Sequence, residues 1–242
     1  MSTVQVTLLG LAVFAGASTQ RITGLGFALV SSPMLVLVAG PFHGVLLSNW
    51  LGLTVSLAVL GATWRAVEMR RVVLLALPAL LLIPVGAWVA RNLRAPILLV
   101  VIGVLVVVAL LAVLSSERAR IFHGTGGAVA AGGLSGFMNV TAGVGGPAVV
   151  LYAKSSNWSH RGFVASLQLY FVAINLASIV VKGGLPHVAV PGLLAALVAL
   201  VLGIVVGHFM APRISASQAR RAVETLALAG GLAAVIKGIA VW

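Results

Sequence analysis

Long apolar runs alternate with short polar stretches that hold almost all of the charge. Val4 to Ala17 is apolar and ends at Ser18, Thr19, Gln20 and Arg21; Phe27 to Ala39 is a second run, ending at Gly40 and Pro41. Each is shorter than the roughly 20 residues a membrane span needs. Together they predict a helical hairpin over 4–39, re-entrant or barely crossing, with the Thr23 to Gly26 turn at its tip. Three runs of spanning length follow, about Gly44 to Thr63, Val72 to Ala90 and Ile97 to Leu114, each bounded by charge. The second half has the same plan. A hairpin over 126–153 is interrupted from Asn139 to Pro147, and spans follow at about 162–181, 188–210 and 222–241.

Glycine costs about 1 kcal/mol and proline about 3 inside a helix, so Gly143, Gly145, Gly146 and Pro147 break the run. The freed backbone groups must face protein, ligand or water rather than lipid. About 119 residues upstream stands a counterpart, in which Gly24 aligns with Gly143, Gly26 with Gly145 and Gln20 with Asn139. Asn49 falls opposite Gln168 at the same offset. Gly86 and Ala90 correspond to Gly207 and Ala211 two residues further on, a small-xxx-small spacing that lets helices approach closely. The expected fold is an all-α polytopic membrane protein, a single membrane domain of two repeats, 1–120 and 121–242. Each repeat is a short hairpin plus three spans. An odd number of spans makes the repeats face opposite ways.

Charge placement tests that topology independently. The loops 64–71, 115–123, 154–161 and 211–221 carry Arg65, Arg70, Arg71, Arg118, Arg120, Lys154, Arg161, Arg213, Arg220 and Arg221. The other side has Arg91, Arg94, Lys182 and Lys237, the two lysines reading as interface anchors. By the positive-inside rule the richer loops are cytoplasmic and both termini lie outside. The whole chain has 242 residues, 61% hydrophobic and 7% charged, with mean hydropathy +1.20, far more apolar than one soluble core could hide. Its net charge of +12 comes in short clusters without a basic helix face or interleaved aromatics, so no nucleic-acid partner is expected. Cysteine is absent, excluding disulfides and thiolate metal sites. No basic segment precedes the first apolar run, so a cleaved signal peptide is not expected.

A helix break that occurs twice at matching places points to a transporter's binding site. Helices beginning near Gly26 and Gly146 would aim free N–H groups and a partial positive charge at a shared cavity, an anion site that needs no cation. Gly24, Gly26, Gly143, Gly145 and Gly146 admit an oxyanion to the backbone, while Gln20, Thr23, Asn139 and Thr141 offer side-chain donors. Asn49 and Gln168 lie within spans and are expected to face the same polar interior. Arg21, whose repeat partner is Val140, is the one basic residue at a hairpin tip, either an anion contact or a snorkelling surface arginine. No acidic residue falls at mid-membrane depth: Glu68 and Glu117 lie in loops and Glu224 opens the last span. That disfavours a carboxylate proton relay or cation cage. His43, His123, His160, His187 and His208 do not cluster at ligand spacing, so neither a metal nor another cofactor is expected. Gly133-Leu134-Ser135-Gly136 matches the nucleophile motif of intramembrane serine proteases, with His208 or His187 as the base. Against that, Ser135 aligns with Gly16, where small residues suit tight packing.

Gly24-Leu25-Gly26-Phe27 followed by Pro33, and Gly143-Val144-Gly145-Gly146-Pro147, set in this duplicated plan, resemble the TauE/SafE (TSUP) family of sulfite exporters over nearly the whole chain. The resemblance implies a non-enzymatic secondary transporter in a bacterial inner membrane, taking a small sulfur-containing anion such as sulfite, sulfoacetate or a related sulfonate, often outward. It implies a small anionic substrate and the lipid bilayer as partners. It leaves open a proton or sodium as coupling ion, a homodimer, and an anion channel of the same fold. Arg21 against Val140, and Phe27 against Gly146, depart from a symmetric pattern.

Overall fold

The computed structural model describes residues 1–23, 26–114 and 122–242, apart from the side chains of Thr23 and Ala216. Thr23's side chain, Gly24, and Glu117, Arg118 and Arg120 of the expected cytoplasmic loop therefore lie outside the described residues. The described chain is helical throughout: α1 Thr3–Thr23, α2 Phe27–Ala39, α3 Pro41–Thr63 extended by a 3-10 turn Trp64–Ala66, α4 Met69–Asn92, α5 Ala95–Leu114, α6 Gly124–Ala142, α7 Gly146–Ser155, α8 His160–Lys182, α9 Val190–Met210 and α10 Ala216–Ala240. Six of these, α3, α4, α5, α8, α9 and α10, are long and apolar enough to cross a membrane. Exposed Leu, Val and Ile line their outer faces, as they must where lipid is the solvent. This is a multi-pass membrane protein.

The hairpins differ from expectation in where they turn. α1 does not stop at Ala17 but runs on through Ser18, Thr19, Gln20 and Arg21. Those polar side chains find partners without breaking the helix: Ser18 Oγ donates to the Gly203 carbonyl at 3.1 Å, Thr19 Oγ1 to Gly16 at 2.9 Å, and Arg21 Nη2 to His208 Nδ1 at 2.8 Å. α6 likewise continues past Asn139 to Ala142, so the second break is only Gly143 to Gly145. Gly143 ends the helix in the left-handed region, φ 72°, its N–H donating to the Asn139 carbonyl at 2.9 Å. Each hairpin has one long and one short arm. The short arms, α2 of 13 residues and α7 of 10, reach only about 20 and 15 Å at 1.5 Å per residue, and Gly26 and Gly143 to Gly145, which precede them, are buried in the bundle.

Packing exchanges between the halves. α1 lies along α9 as α6 lies along α4; α2 meets α10 as α7 meets α5; α3 pairs with α8 and α5 with α10. Close approach depends on the expected small residues. A Cβ at Gly86 of α4 would fall 3.1 Å from the Phe137 carbonyl and 2.5 Å from Val140 Cγ1; one at Gly207 of α9 would fall 2.8 Å from the Ser18 carbonyl and 2.9 Å from Arg21 Cβ. Phe137 aligns with Ser18, and Val140 with Arg21, so one contact recurs in both halves.

Candidate functional site

Both tips open on one cavity of about 680 Å³. Its inner wall is made by Gly26, Gly143, Gly145, Gly146 and Pro147 of the tips, Ser48 and Gly52 of α3, Asn139 of α6 and Asn175 of α8. Its walls then run to Arg21, Lys154, His160 and Arg220, all exposed, so the cavity communicates with that end of the bundle. Glu224 also lines it but is held by Arg220, Nε to Oε1 2.6 Å. Lys154 donates to the Val113 carbonyl at 3.1 Å. The mouth is thus cationic, and the inner end carries amides, hydroxyls and backbone without a carboxylate among its lining residues.

The tips are tied to each other and to the spans. Ser32 Oγ of α2 donates to the Ala142 carbonyl at 2.5 Å, and Ser135 Oγ donates to the Gly145 carbonyl at 2.6 Å. Asn175, which carries no signal in the sequence pattern, is the hub. Its Oδ1 accepts from Asn49 Nδ2 at 3.2 Å and from Asn139 Nδ2 at 3.1 Å; Asn139 Nδ2 also donates to Ser178 Oγ at 3.2 Å. Two donors on its oxygen fix which way the amide faces. Asn175 Nδ2 therefore points to the cavity side, 3.2 Å from where a Cβ at Gly52 would stand. Ser48 Oγ, buried on the same wall, has no hydrogen-bond partner among the described residues. An amide N–H₂, a free hydroxyl and an α7 that starts at Gly146 without a side-chain cap make a cluster of donors. They suit an anion's oxygens.

Of the residues expected at the site, Gln20, Arg21, Gly26, Asn139, Gly143, Gly145 and Gly146 line this cavity. Gln20 also caps α2, its Oε1 accepting from Phe27 N–H at 3.1 Å, so that N–H is not free for a ligand. Arg21 is not deep in the membrane interior. It is exposed at the mouth, paired with His208. Thr141 does not line the cavity, and its hydroxyl turns back to donate to the Phe137 carbonyl at 2.6 Å. Asn49 supports the hub from behind rather than lining the cavity. Gln168 does not meet it: fully buried, its amide has no partner on either atom among the described residues.

An unpaired buried amide costs about 1–3 kcal/mol. Gln168→Leu, similar in volume, is accordingly expected to raise the melting temperature of the purified protein; a lower one would mean Gln168 holds a partner. Ser135 is 0% exposed and engaged with Gly145, while His208 is held by Arg21 and His187 stacks against His43 at 4.8 Å. Among the described residues neither histidine is hydrogen-bonded to Ser135, an arrangement that favours packing over a nucleophile. Ser135→Ala should lose one hydrogen bond, about 1 kcal/mol of stability, and leave function intact; complete loss of function in a stably folded variant would restore the nucleophile reading.

The family model described as sulfite exporter TauE/SafE matches residues 8–234, nearly the entire chain. Among curated proteins and among solved structures, none matches.

Proposed function

Because the chain belongs to the sulfite exporter TauE/SafE family, we propose that it is a secondary transporter carrying a small sulfur-containing oxyanion, such as sulfite or an organosulfonate, out of the cell. The anion binds at the inner end of the cavity, between the second tip and Ser48, Asn139 and Asn175. The observation that carries this reading is the union of both glycine breaks, a set of unspent donors and a cationic mouth in a single cavity. Anions are drawn by the mouth and then held by neutral dipoles, which lets them leave again.

Orientation follows from charge. Lys154, His160 and Arg220 belong to the cation-rich loops that the positive-inside rule assigns to the cytoplasm, so the cavity opens inward in this state. The recurrent Gly86 and Gly207 contacts support two repeats of opposite orientation. The far end is laced shut, with Trp50 Nε1 donating to the Gly184 carbonyl at 2.8 Å and His187 N–H to His43 Nδ1 at 3.3 Å. A cavity open at one end and closed at the other favours alternating access by rocking of the repeats over a continuous pore.

The deciding experiment is anion-dependent thermal stabilisation of detergent-purified protein with sulfite, sulfate, thiosulfate, sulfoacetate, taurine and small carboxylates, and chloride as control. A ligand at 100 times its dissociation constant adds about 2.7 kcal/mol to the folded state. Stabilisation by a sulfur oxyanion that is lost in Asn175→Asp supports substrate class and site together. Stabilisation by cations alone would refute both.

A further inference from the structure

At the other end of α8 from the cavity mouth lies a cation with no counter-ion among the described residues. Lys182 is 5% exposed, its Nζ has no hydrogen-bond partner among them, and it stands 4.7 Å from the centre of the Phe42 ring. His160 and Lys182 are the two ends of α8, about 33 Å apart at 1.5 Å per residue. The groups around Lys182 are themselves basic. Arg91, at the end of α4, donates to the Val181 carbonyl and brings Nη2 to 3.8 Å from a Cβ placed at Gly183. His43 of α3 packs edge-on against Phe42, centroids 5.4 Å apart, and against His187. Electrostatically, Lys182 feels Arg91, and His43 feels both Lys182 and His187.

The acids among the described residues are spent elsewhere. Glu68 binds Arg71 and accepts from Trp158 Nε1, and Glu224 binds Arg220. A buried ammonium among like charges is costly unless something negative joins it. Stacking on Phe42 offsets only part of that cost. Arg91 and His187 are exposed, so the basic ring borders that end of the bundle while Lys182 Nζ itself is covered.

We propose that Lys182, ringed by Arg91, His43 and His187, is a second anion site that takes a small oxyanion at the far end of the transport path. It rests on the transport reading for the identity of the anion, sulfite, and not for its existence. An anion released from the central cavity when the Trp50 and His187 ties part would meet Lys182 next, before reaching the far side.

The test is the stoichiometry of radiolabelled sulfite bound to purified protein in lipid-free detergent. Wild type is expected to bind two per chain, Lys182→Met one, Asn175→Asp one, and the double variant none; Lys182→Arg keeps two. In anion-free buffer Lys182→Met should melt no lower than wild type, because it removes an unpaired charge while keeping the chain's bulk. Undiminished binding in Lys182→Met overturns the proposal, as does a lower melting temperature, which would make Lys182 a clasp on Phe42. Displacement of the second sulfite by short-chain phosphatidylglycerol at lower concentration than by sulfate would assign the site to a lipid headgroup and overturn the proposal too. Binding lost in Lys182→Met but unchanged in Asn175→Asp would uphold this site while refuting the central one.

Discussion

Gly143→Ala is expected to abolish transport and to destabilise the protein strongly, because two independent costs fall on one residue. At φ 72° any side chain is strained, by about 1–3 kcal/mol. The new Cβ would also stand 2.4 Å from Ser32 Oγ and 3.2 Å from Ser48 Oγ, closer than atoms pack, and overpacking of this kind typically costs about 1–3 kcal/mol more. Pairing it with Ser32→Ala separates the two. The double variant removes the 2.4 Å overlap with Ser32 Oγ but also the bond to Ala142, so it is compared with Ser32→Ala alone, below which it should melt by the backbone strain and the remaining 3.1 Å approach to Ser32 Cβ. Proteoliposomes loaded with radiolabelled sulfite would report transport. Wild-type efflux from Gly143→Ala would mean that the close approach of the two tips has no part in function.

That residue is legible from sequence, and the reason is physical. Glycines and proline in an apolar run leave few options for the backbone, and their recurrence halfway along the chain sets the order of elements and the two tips. What escapes depends on contacts between elements. Ser18 to Arg21 read as a helix end because they are polar, yet the chain continues helical where α9 supplies the Gly203 carbonyl and His208 as partners. Asn139 and Thr141 read as part of the break, yet each is satisfied within or beside α6.

Repeat logic fails in an instructive way at Asn49. Matching offsets find equivalent residues, not touching ones: Asn49 meets Asn175, and the equivalent pairing would join Gln168 to Ser56. Ser56 is buried with no hydrogen bond to that amide, which leaves Gln168 without a partner. Asn175, having only a serine at its repeat position, carries no duplicated signal. Lys182 misleads for a related reason, since a lysine at the end of a span ordinarily snorkels. Here Lys182 is 5% exposed and lies over the Phe42 ring instead, with Arg91 bound beside it to the Val181 carbonyl.

Asn175→Asp should be the most damaging substitution that leaves the fold intact. The carboxylate has the shape of the amide, and one oxygen still accepts from Asn49 and Asn139, whose N–H groups suit a charged acceptor even better than a neutral one. Its other oxygen takes the place of the amide nitrogen facing the cavity near Gly52, so a donor becomes a negative charge where the anion is to sit. Two unit charges about 4 Å apart interact by roughly 4 kcal/mol at an effective dielectric constant of about 20, about a thousandfold in affinity. Asn175→Leu removes the donor without adding the charge, but it strands the buried Asn49 amide, while Asn139 keeps its bond to Ser178, and should lose about 1–3 kcal/mol of stability. The two variants therefore separate along different axes: the aspartate keeps its melting temperature and loses sulfite binding and efflux, while the leucine loses stability first. Equal transport by wild type and Asn175→Asp would show that no anion passes this wall, and the cavity would then need a different cargo.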